Sequence, residues 1–291
     1  MINNYPEVAT MKGRILTEKM IADFFAYLKR EEKSRNTVEK YLRDVRAFFA
    51  RMHGAEVTKE TVIAYKNRLL SQNYAVRSIN SMLASINSLF SFLGWADLKV
   101  KSVKFQQQIY CSEEKELTKA EYVRLVNTAK RKGKERLNLV LQTICGTGIR
   151  VSELQYITVE AVKCGEAVVT LKGKTRTVFL VRELRQKLLH YAKSHKICMG
   201  AIFITRTGKP MSRTNIWREM KNLCEQANVN PQKVFPHNLR RLFARTFCGM
   251  EKDIARLADI LGHSSINTTR IYIVSTGNEH RERMEHMRLV I

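Results

Sequence analysis

The chain has 291 residues, of which 44% are hydrophobic and 27% are charged, as in a folded globular protein with room for two domains. Its formal net charge is +24, with 15 basic and 10 acidic residues in 1–98 against 36 and 17 in 99–291. This excess favours a nucleic-acid partner over a membrane. The sequence holds no apolar run close to the roughly 18 residues of a membrane span, and no Cys-x-x-Cys pair typical of a zinc site. We therefore expect a cytoplasmic protein that binds nucleic acid.

Four helical patterns follow one another in residues 13–98. The first begins at Thr17, the second at Asn36 with a variant of the capping box, the third at Thr58, and the fourth covers about Val76 to Leu93. In each pattern the apolar residues recur on one face. The sequence therefore predicts a compact, all-helical domain over this range.

The polar faces of the second and fourth helices are candidate DNA-binding surfaces. Lys40, Arg43 and Arg46 lie off the apolar stripe of the second helix. The polar face of the fourth helix comprises Arg77, Asn80, Ser81, Ser85, Asn87 and Ser88. Small hydrogen-bonding residues beside an arginine suit close approach to a sugar-phosphate backbone, although an ordinary polar surface explains this one helix equally well. We predict DNA contacts by Lys40, Arg43, Arg46, Arg77 and Ser81.

Residues 99–116 are polar and without a steady period, which predicts a linker. Beyond it, Thr118 and Glu121 form a capping box, and a helix over about 135–145 stops at Gly146-Thr-Gly. Two β-branched runs within 166–181 predict a hairpin around Lys-Gly-Lys. Further helices are predicted from Ser152 and over 183–194, 213–227, 237–249 and 252–261. The fold class is therefore mainly α, with a small antiparallel β-sheet in the second domain.

Five residues of the second domain form a set suited to phosphodiester chemistry: Arg150, His237, Arg240, His263 and Tyr272. His237 and Arg240 are three positions apart on one helix face, so both can reach the same phosphate. Arginines offset the charge that builds up on the non-bridging oxygens, and a tyrosine beside them is a candidate nucleophile. A lysine on the hairpin would give the departing oxygen its proton. Each residue alone has an ordinary structural explanation, but the ordered set points to strand cleavage.

These motifs resemble those of the tyrosine site-specific recombinases, the family of phage integrases and Xer proteins. Gly-Thr-Gly-Ile-Arg150-Val-Ser-Glu-Leu is similar to the context of the family's first arginine. His237-Asn-Leu-Arg240 matches its His-x-x-Arg motif. Leu-Gly-His263-Ser, followed nine residues after the histidine by Tyr272, matches its last histidine and its nucleophile. The resemblance covers essentially the whole chain.

Two details depart from the family pattern. Lys172 of Leu-Lys-Gly-Lys-Thr-Arg matches the family's hairpin lysine, but the hairpin tip is one residue shorter than the common form. Lys174 is therefore the alternative candidate for the hairpin lysine. If Lys172 has that role, we expect Lys174 to contact DNA. Arg241 stands where many relatives carry histidine, and we expect it to adjust DNA contacts.

The resemblance implies a role for each residue of the set. Tyr272 would attack the phosphorus and form a 3′-phosphotyrosyl intermediate, while Arg150 and Arg240 stabilise the transition state with help from His237 and His263. Lys172 would protonate the 5′ oxygen. No metal or nucleotide cofactor is implied, and rejoining needs no ATP.

The resemblance also implies an architecture and partners. Residues 13–98 would be a SAM-like core-binding domain, 99–116 a linker, and 117–291 the catalytic domain with a C-terminal exchange helix. The substrate would be double-stranded DNA with inverted-repeat core sites, recombined by a homotetramer through a Holliday junction. Integration, dimer resolution and inversion remain open as biological tasks, as does the need for a second recombinase or a host bending protein.

The C-terminal segment is a candidate for subunit exchange. From about Glu279 it reads as a short amphipathic helix with an apolar tip of Met284, Met287, Leu289, Val290 and Ile291. Packing on its own domain would explain this pattern as well. The resemblance implies instead that the helix is donated to a neighbouring subunit.

Three other functions compete with recombination. A type IB topoisomerase shares the chemistry but acts as a monomer. A catalytically silent DNA-binding regulator would need the basic surfaces without the tyrosine. A metal-dependent transposase needs clustered carboxylates, but the five aspartates of this chain form no convincing cluster.

Overall fold

The computed structural model describes residues 13–104, 113–171, 173–273 and 284–287. The chain divides into two compact units, Met1–Gln107 and Gln108–Ile291. The division lies within the segment 99–116.

In the part of the first unit that the structure describes there are four α-helices, and a short 3₁₀ turn, Ala96–Leu98, follows them. The helices are α1 (Glu18–Arg30), α2 (Arg35–Met52), α3 (Lys59–Ser71) and α4 (Val76–Phe92). Thr17 and Thr58 cap α1 and α3 as predicted. The predicted start of α2 at Asn36 is wrong, because the capping hydroxyl belongs to Ser34, which accepts from the amide of Thr37.

The apolar faces of these helices meet in one core. Phe24, Phe48 and Phe90 are fully buried, and the rings of Phe48 and Phe90 meet edge to face at 6.0 Å. Burial of aromatic side chains of this size supplies much of the stability of a small domain.

Two asparagines of α4 hold the segment that follows the 3₁₀ turn. Asn87 accepts from the amide of Val100 and donates to its carbonyl, and Asn80 makes the same pair of bonds with Val103. The sequence pattern places both asparagines on the polar face of the helix, and their amide groups form bonds within the unit. The spacing of seven residues places both on one side of the helix.

The second unit contains eight helices and one hairpin within its described residues. In chain order they are α5 (Lys119–Arg131), α6 (Glu135–Thr147), α7 (Val159–Cys164), β1 (Glu166–Leu171), β2 (Lys174–Phe179), α8 (Arg182–Ser194), α9 (Arg213–Cys224), α10 (Pro236–Met250), α11 (Ile254–Leu261) and α12 (Ile266–Tyr272). Helices α6 and α10 pack together, and α10 packs in turn on α11 and α12. The mainly α fold with a small antiparallel sheet is as predicted.

The local predictions for this unit are confirmed in part. The capping box of Thr118 and Glu121 is present, and α6 ends at a left-handed Gly148. The hairpin pairs Glu166 with Phe179 and Leu171 with Lys174. In place of a helix from Ser152 there is a 3₁₀ segment, and α7 and α12 were not predicted. Within the described ranges, every helix is too short or too polar to cross a bilayer.

Candidate active site

Helix α10 supplies two of the candidate residues from its first turns. Pro236 occupies the first helical position, where its missing N–H costs nothing. His237 and Arg240 follow at positions that share a face. The helix therefore fixes their relative placement before any ligand is bound.

Arg240 is the central cation of the site, with only 1% of its surface exposed. Its Nη1 donates to the carbonyl of Gly148, and its Nη2 donates to the carbonyl of Leu261 at 2.5 Å and to His263 Nε2 at 3.0 Å. Burial, and then the charge of Arg150, lower the pKa of Arg240 to about 10, so the guanidinium stays charged at neutral pH. One side chain thus joins the loop after α6 to the loop after α11.

Gly148 can be no other residue without a local rearrangement. Its φ is +65°, and an added Cβ would lie 2.5 Å from the ring of Phe243 and 2.9 Å from Leu261. The glycine of the first arginine motif therefore brings its carbonyl close to Arg240.

Arg150 lies just after this turn and is held by a buried carboxylate. Its Nη1 donates to Glu153 Oε1 at 2.9 Å, its backbone amide donates to the other carboxylate oxygen, and its Nη2 donates to the carbonyl of Gly262 at 3.0 Å. Arg176 of β2 binds the same carboxylate at 2.6 Å. Burial alone would raise the pKa of Glu153, but its bonds to Arg150 and the charge of Arg176 lower it. A buried anion therefore orients two cations.

Gly262 completes the second loop. Its φ is +61°, and an added Cβ would overlap the side chain of Arg176. The Leu-Gly-His motif thus has a steric reason for its glycine. The carbonyl of Gly262 accepts from Arg150, and the carbonyl of Leu261 accepts from Arg240, so this loop binds both arginines.

His263 is a neutral hydrogen-bonding link. Its Nε2 faces the guanidinium of Arg240, which can only donate, so its Nδ1 carries the proton and donates to Thr269 Oγ1 at 2.9 Å. Burial, and then the charge of Arg240, lower the pKa of His263 to about 4. The ring is therefore uncharged at pH 7.

Tyr272 lies among these groups at the end of α12. Its side chain is 7% exposed, and its ring lies between those of His237 and His263, with centroid distances of 4.8 and 4.9 Å. The hydroxyl is 3.4 Å from His237 Nδ1, and the guanidinium carbon of Arg240 is 5.9 Å from the ring centre. Burial, followed by the charges of Arg241 and Arg240, lowers the pKa of His237. A neutral base therefore adjoins the phenol at pH 7.

A cationic cleft opens beside the set, with a volume of about 350 Å³. Arg150, His237 and Arg240 line it together with Arg213 and Trp217 of α9. The cleft has the size and charge for a phosphodiester group. Sequence reasoning missed Arg213 and Trp217, although a basic residue in the first turn of a predicted helix, four positions before a tryptophan, was a usable signal.

The predicted hairpin lysine is not placed. Lys172 lies outside the described residues, and for Lys174 only the backbone is described, as the first residue of β2 opposite Leu171. The sequence places Lys172 and Gly173 between the two strands. The choice between the two lysines therefore stays a prediction.

Arg241 takes part in a contact within the second unit, and its role at the DNA stays a prediction. Its side chain is 16% exposed and forms an ion pair of 2.6 Å with Glu116, which is itself buried. Its Nη2 also donates to the carbonyl of Ile271 at 3.4 Å. The sequence offered no signal for this contact, because the partners are 125 positions apart.

In the first unit, the predicted DNA-binding residues fall into two groups. Arg43, Arg46, Arg77 and Ser81 are exposed. Lys40 instead binds the buried carboxylate of Asp44 at 2.7 Å and the hydroxyl of Ser85 at 2.9 Å. The i, i+4 spacing of Lys40 and Asp44 was the missed signal.

The C-terminal prediction falls mostly outside the described residues. Residues 279–283 and 288–291 are among those not described, so the exchange helix stays a prediction. Met284 and Met287, which are described, are each 59% exposed.

The fold, and a buried tyrosine placed among two arginines and two histidines, define the class of the protein: a tyrosine recombinase, which cleaves and rejoins DNA. The profile of the phage integrase family matches residues 115–279, and the profile described as "Phage integrase, N-terminal SAM-like domain" matches residues 21–97. The chain belongs to the phage integrase family.

Individual relatives agree with this assignment. Tyrosine recombinase XerA of Pyrococcus furiosus is 27% identical over 289 residues, covering 96% of this chain and 98% of the relative. Tyrosine recombinase XerC of Lacticaseibacillus casei is 29% identical over 284 residues, covering 87% and 93%. The crystal structure of a lambda integrase dimer bound to a core site has the same fold, with a TM-score of 0.72 at 16% identity over 90% of this chain and 96% of that one. The two sequence relatives support a site-specific recombinase and not the topoisomerase alternative.

Proposed function

We propose that Tyr272 is the nucleophile with which this recombinase cuts one DNA strand, and that Arg150, His237, Arg240 and His263 act on the scissile phosphate. The observation that carries the proposal is the position of the Tyr272 hydroxyl, 3.4 Å from a histidine that also lines the cationic cleft. His237 thus connects the nucleophile to the place where a phosphate fits.

The two arginines would serve the phosphate in different ways. Arg150 is one-third exposed and presents its guanidinium to the cleft, where a planar fork can donate two parallel bonds to phosphate oxygens. Arg240 contributes its charge from a buried position, where low dielectric makes that charge more effective. Both offset the negative charge that grows on the non-bridging oxygens in the transition state.

The covalent step exchanges one phosphate ester for another. The Tyr272 oxygen forms a bond to phosphorus, the bond from phosphorus to the 5′ oxygen breaks, and the phenolic proton passes to His237 Nδ1. The hairpin lysine, Lys172 by preference over Lys174, gives the 5′ oxygen its proton. A 5′ hydroxyl of the partner strand reverses the reaction, so the ester bond is conserved without ATP or metal.

A conformational step precedes this attack. The Tyr272 side chain is 7% exposed, which leaves its hydroxyl no route to a phosphorus in the cleft without movement. We propose that, when DNA binds, the phenol turns towards the cleft while the backbone of the seven-residue helix α12 keeps its place.

Assembly follows from the same proposal. Four protomers would act on two inverted-repeat core sites in the cytoplasm and exchange strands in pairs through a Holliday junction. The lambda integrase structure that shares this fold is a dimer bound to a core site, which supports binding of one core site by more than one protomer. The exposed Arg43, Arg46 and Arg77 would contribute backbone contacts in the first unit. Truncation after Glu282 is expected to leave DNA binding but weaken synapsis.

Covalent capture tests the nucleophile and needs no defined target sequence. A library of nicked duplexes with random sequence is incubated with the protein, and detergent-resistant complexes are isolated and sequenced. A nick a few nucleotides beyond the scissile phosphate lets the short leaving fragment diffuse away and prevents rejoining. The wild-type chain should yield an adduct on a recurrent sequence, and Tyr272→Phe should yield none.

Tyr191→Phe is the matched control, because Tyr191 is 4% exposed and its ring stacks on His195, outside the site. This variant should form the adduct at the wild-type level. Persistence of the adduct in Tyr272→Phe would assign the nucleophile elsewhere. Failure of the wild-type chain to form any adduct would contradict the proposed function.

A further inference from the structure

A second face of helix α10 contacts the segment that leads into α5. Asn238, Arg241 and Arg245 follow one another along one side of the helix. Asn238 Nδ2 donates to the carbonyl of Lys115 at 2.7 Å, and Arg245 Nη2 donates to the carbonyl of Leu117 at 3.0 Å. Three side chains of the helix that carries His237 and Arg240 thus bind three consecutive residues, 115–117.

Glu116 is the anionic centre of this contact. It is 3% exposed, and its two carboxylate oxygens face different arginines, Oε1 to Arg241 at 2.6 Å and Oε2 to Arg245 at 3.3 Å. A buried carboxylate is retained at such a position only when it is paired, because an unpaired one is costly to desolvate.

Arg241 extends the contact to the nucleophile's helix. The Nη2 that meets Glu116 also donates to the carbonyl of Ile271 at 3.4 Å. Ile271 directly precedes Tyr272, and the last carbonyls of a helix lack intrahelical partners. A cation at this end also complements the helix dipole. A single nitrogen therefore connects a buried carboxylate to the last turn of α12.

We propose that Glu116 is a positioning residue for Tyr272 that acts through Arg241. It touches neither the cleft nor the phenol. Its carboxylate fixes the guanidinium of Arg241, and the guanidinium fixes the carbonyl next to the nucleophile. This inference rests on the proposed role of Tyr272, and it assigns to the segment before α5 a part in placing the attacking oxygen.

The chain offers a control that shares the carboxylate. Arg245→Met removes one ion pair of Glu116 and leaves the path through Arg241 to Ile271 in place. Glu116→Gln keeps the shape of the side chain but leaves Arg241 without its anionic partner. Glu116→Asp restores the charge on a shorter side chain. A purely structural role would make Glu116→Gln and Arg245→Met behave alike.

The first readout needs no DNA. Hydrogen exchange is measured by mass spectrometry on peptides covering Ile266–Tyr272 in the full chain. Glu116→Gln should accelerate exchange there about tenfold over wild type, because local opening of α12 becomes easier. Arg245→Met should leave this exchange within about twofold, and Glu116→Asp should recover most of the protection.

The second readout is single-turnover cleavage of the duplex selected by covalent capture. At saturating DNA, Glu116→Gln should cleave about 10- to 100-fold more slowly than wild type, because a small misplacement of a reacting group has effects of this size. The dissociation constant for the duplex should be unchanged, and Arg245→Met should cleave at the wild-type rate.

Wild-type exchange of α12 in Glu116→Gln, or equal losses in Glu116→Gln and Arg245→Met, would overturn the inference. The two proposals can fail separately. If the wild-type chain forms no adduct, the proposed function is wrong, whereas the exchange measurement still decides whether Glu116 holds α12.

Discussion

Acid should destabilise the second unit through His263. Its Nε2 accepts from the Arg240 guanidinium at 3.0 Å, so a proton there would break the bond and place two cations in contact. Burial, and then Arg240, lower its pKa from 6.5 to about 4. A depressed pKa means that the unfolded chain takes up the proton first, so stability is full above pH 6.5 and falls as the pH drops towards 4. At about 1.4 kcal/mol per pH unit, the largest loss is about 3.5 kcal/mol. Because the ring is only partly buried, we expect about 2 kcal/mol.

Urea unfolding at about pH 7 and about pH 4.5 measures this loss. The chain has two tryptophans, so Trp95→Phe leaves the fluorescence of Trp217 as a reporter of the second unit alone. His263→Asn should be less stable at neutral pH, but its loss between the two pH values should be about 2 kcal/mol smaller than that of the parent. The exposed His190 provides the control, and His190→Asn should show the parental loss. Equal losses in His263→Asn and the parent would refute the reasoning.

Three further substitutions test the packing around the site and in the first unit. Gly148→Ala should lower the free energy of unfolding by about 2–5 kcal/mol. Gly133→Ala has the same φ of +65° but no atom within 4 Å of the added Cβ, so it should lower that free energy by only about 1–2 kcal/mol. Urea unfolding followed by Trp217 fluorescence compares the two variants, and similar losses would contradict the steric argument. Glu153→Gln should lower the free energy of unfolding by about 3–5 kcal/mol and abolish covalent capture, because two arginines lose a buried partner. The control Glu219→Gln removes a one-third-exposed carboxylate, so it should lower the free energy of unfolding by less than about 1 kcal/mol and keep the adduct. Asn87→Ala should destabilise the first unit by about 1–3 kcal/mol, because both backbone polar groups of Val100 lose their partner. Urea unfolding followed by Trp95 fluorescence in a Trp217→Phe chain measures this loss. An unchanged urea midpoint would show that water replaces the amide.

Local signals in the sequence carried much of the fold. Side-chain caps such as Thr58 and Thr118 act within four residues, so their patterns can be recognised without tertiary information. The hairpin was visible for the same reason. Helix α12 was missed, because seven residues give too short a pattern to show a period. The start of α2 was misplaced because Ser34 and Asn36 are both good capping residues, and only the folded structure distinguishes them.

The site was foreseeable as a set but not as a network. The order of its arginines, histidines and tyrosine, together with the resemblance, predicted which residues should meet, and the structure brings Arg150, His237, Arg240, His263 and Tyr272 together. The sequence could not predict the partners that hold these residues, because the ion pairs Glu153–Arg176 and Glu116–Arg241 join distant segments.

The contacts that polar helix residues make inside the first unit could not be predicted, for one physical reason. A hydrophilic side chain on a helix looks the same in sequence whether it faces solvent or another part of the chain. Lys40 binds Asp44, and Asn80 holds the backbone of Val103, and neither contact was predicted. Periodicity identifies the side of a helix, and only tertiary contacts decide what covers it.

The donors of Arg240 have a consequence for how inactive variants are interpreted. Because its two terminal nitrogens hold the carbonyls of Gly148 and Leu261, this guanidinium is a cross-brace between two loops as well as a source of charge. A lysine has one nitrogen and cannot span both carbonyls. Loss of recombination in Arg240→Lys would therefore have two causes, the loss of the link between the loops and the loss of catalysis. The two are separated only when the folding of the variant is measured before its kinetics.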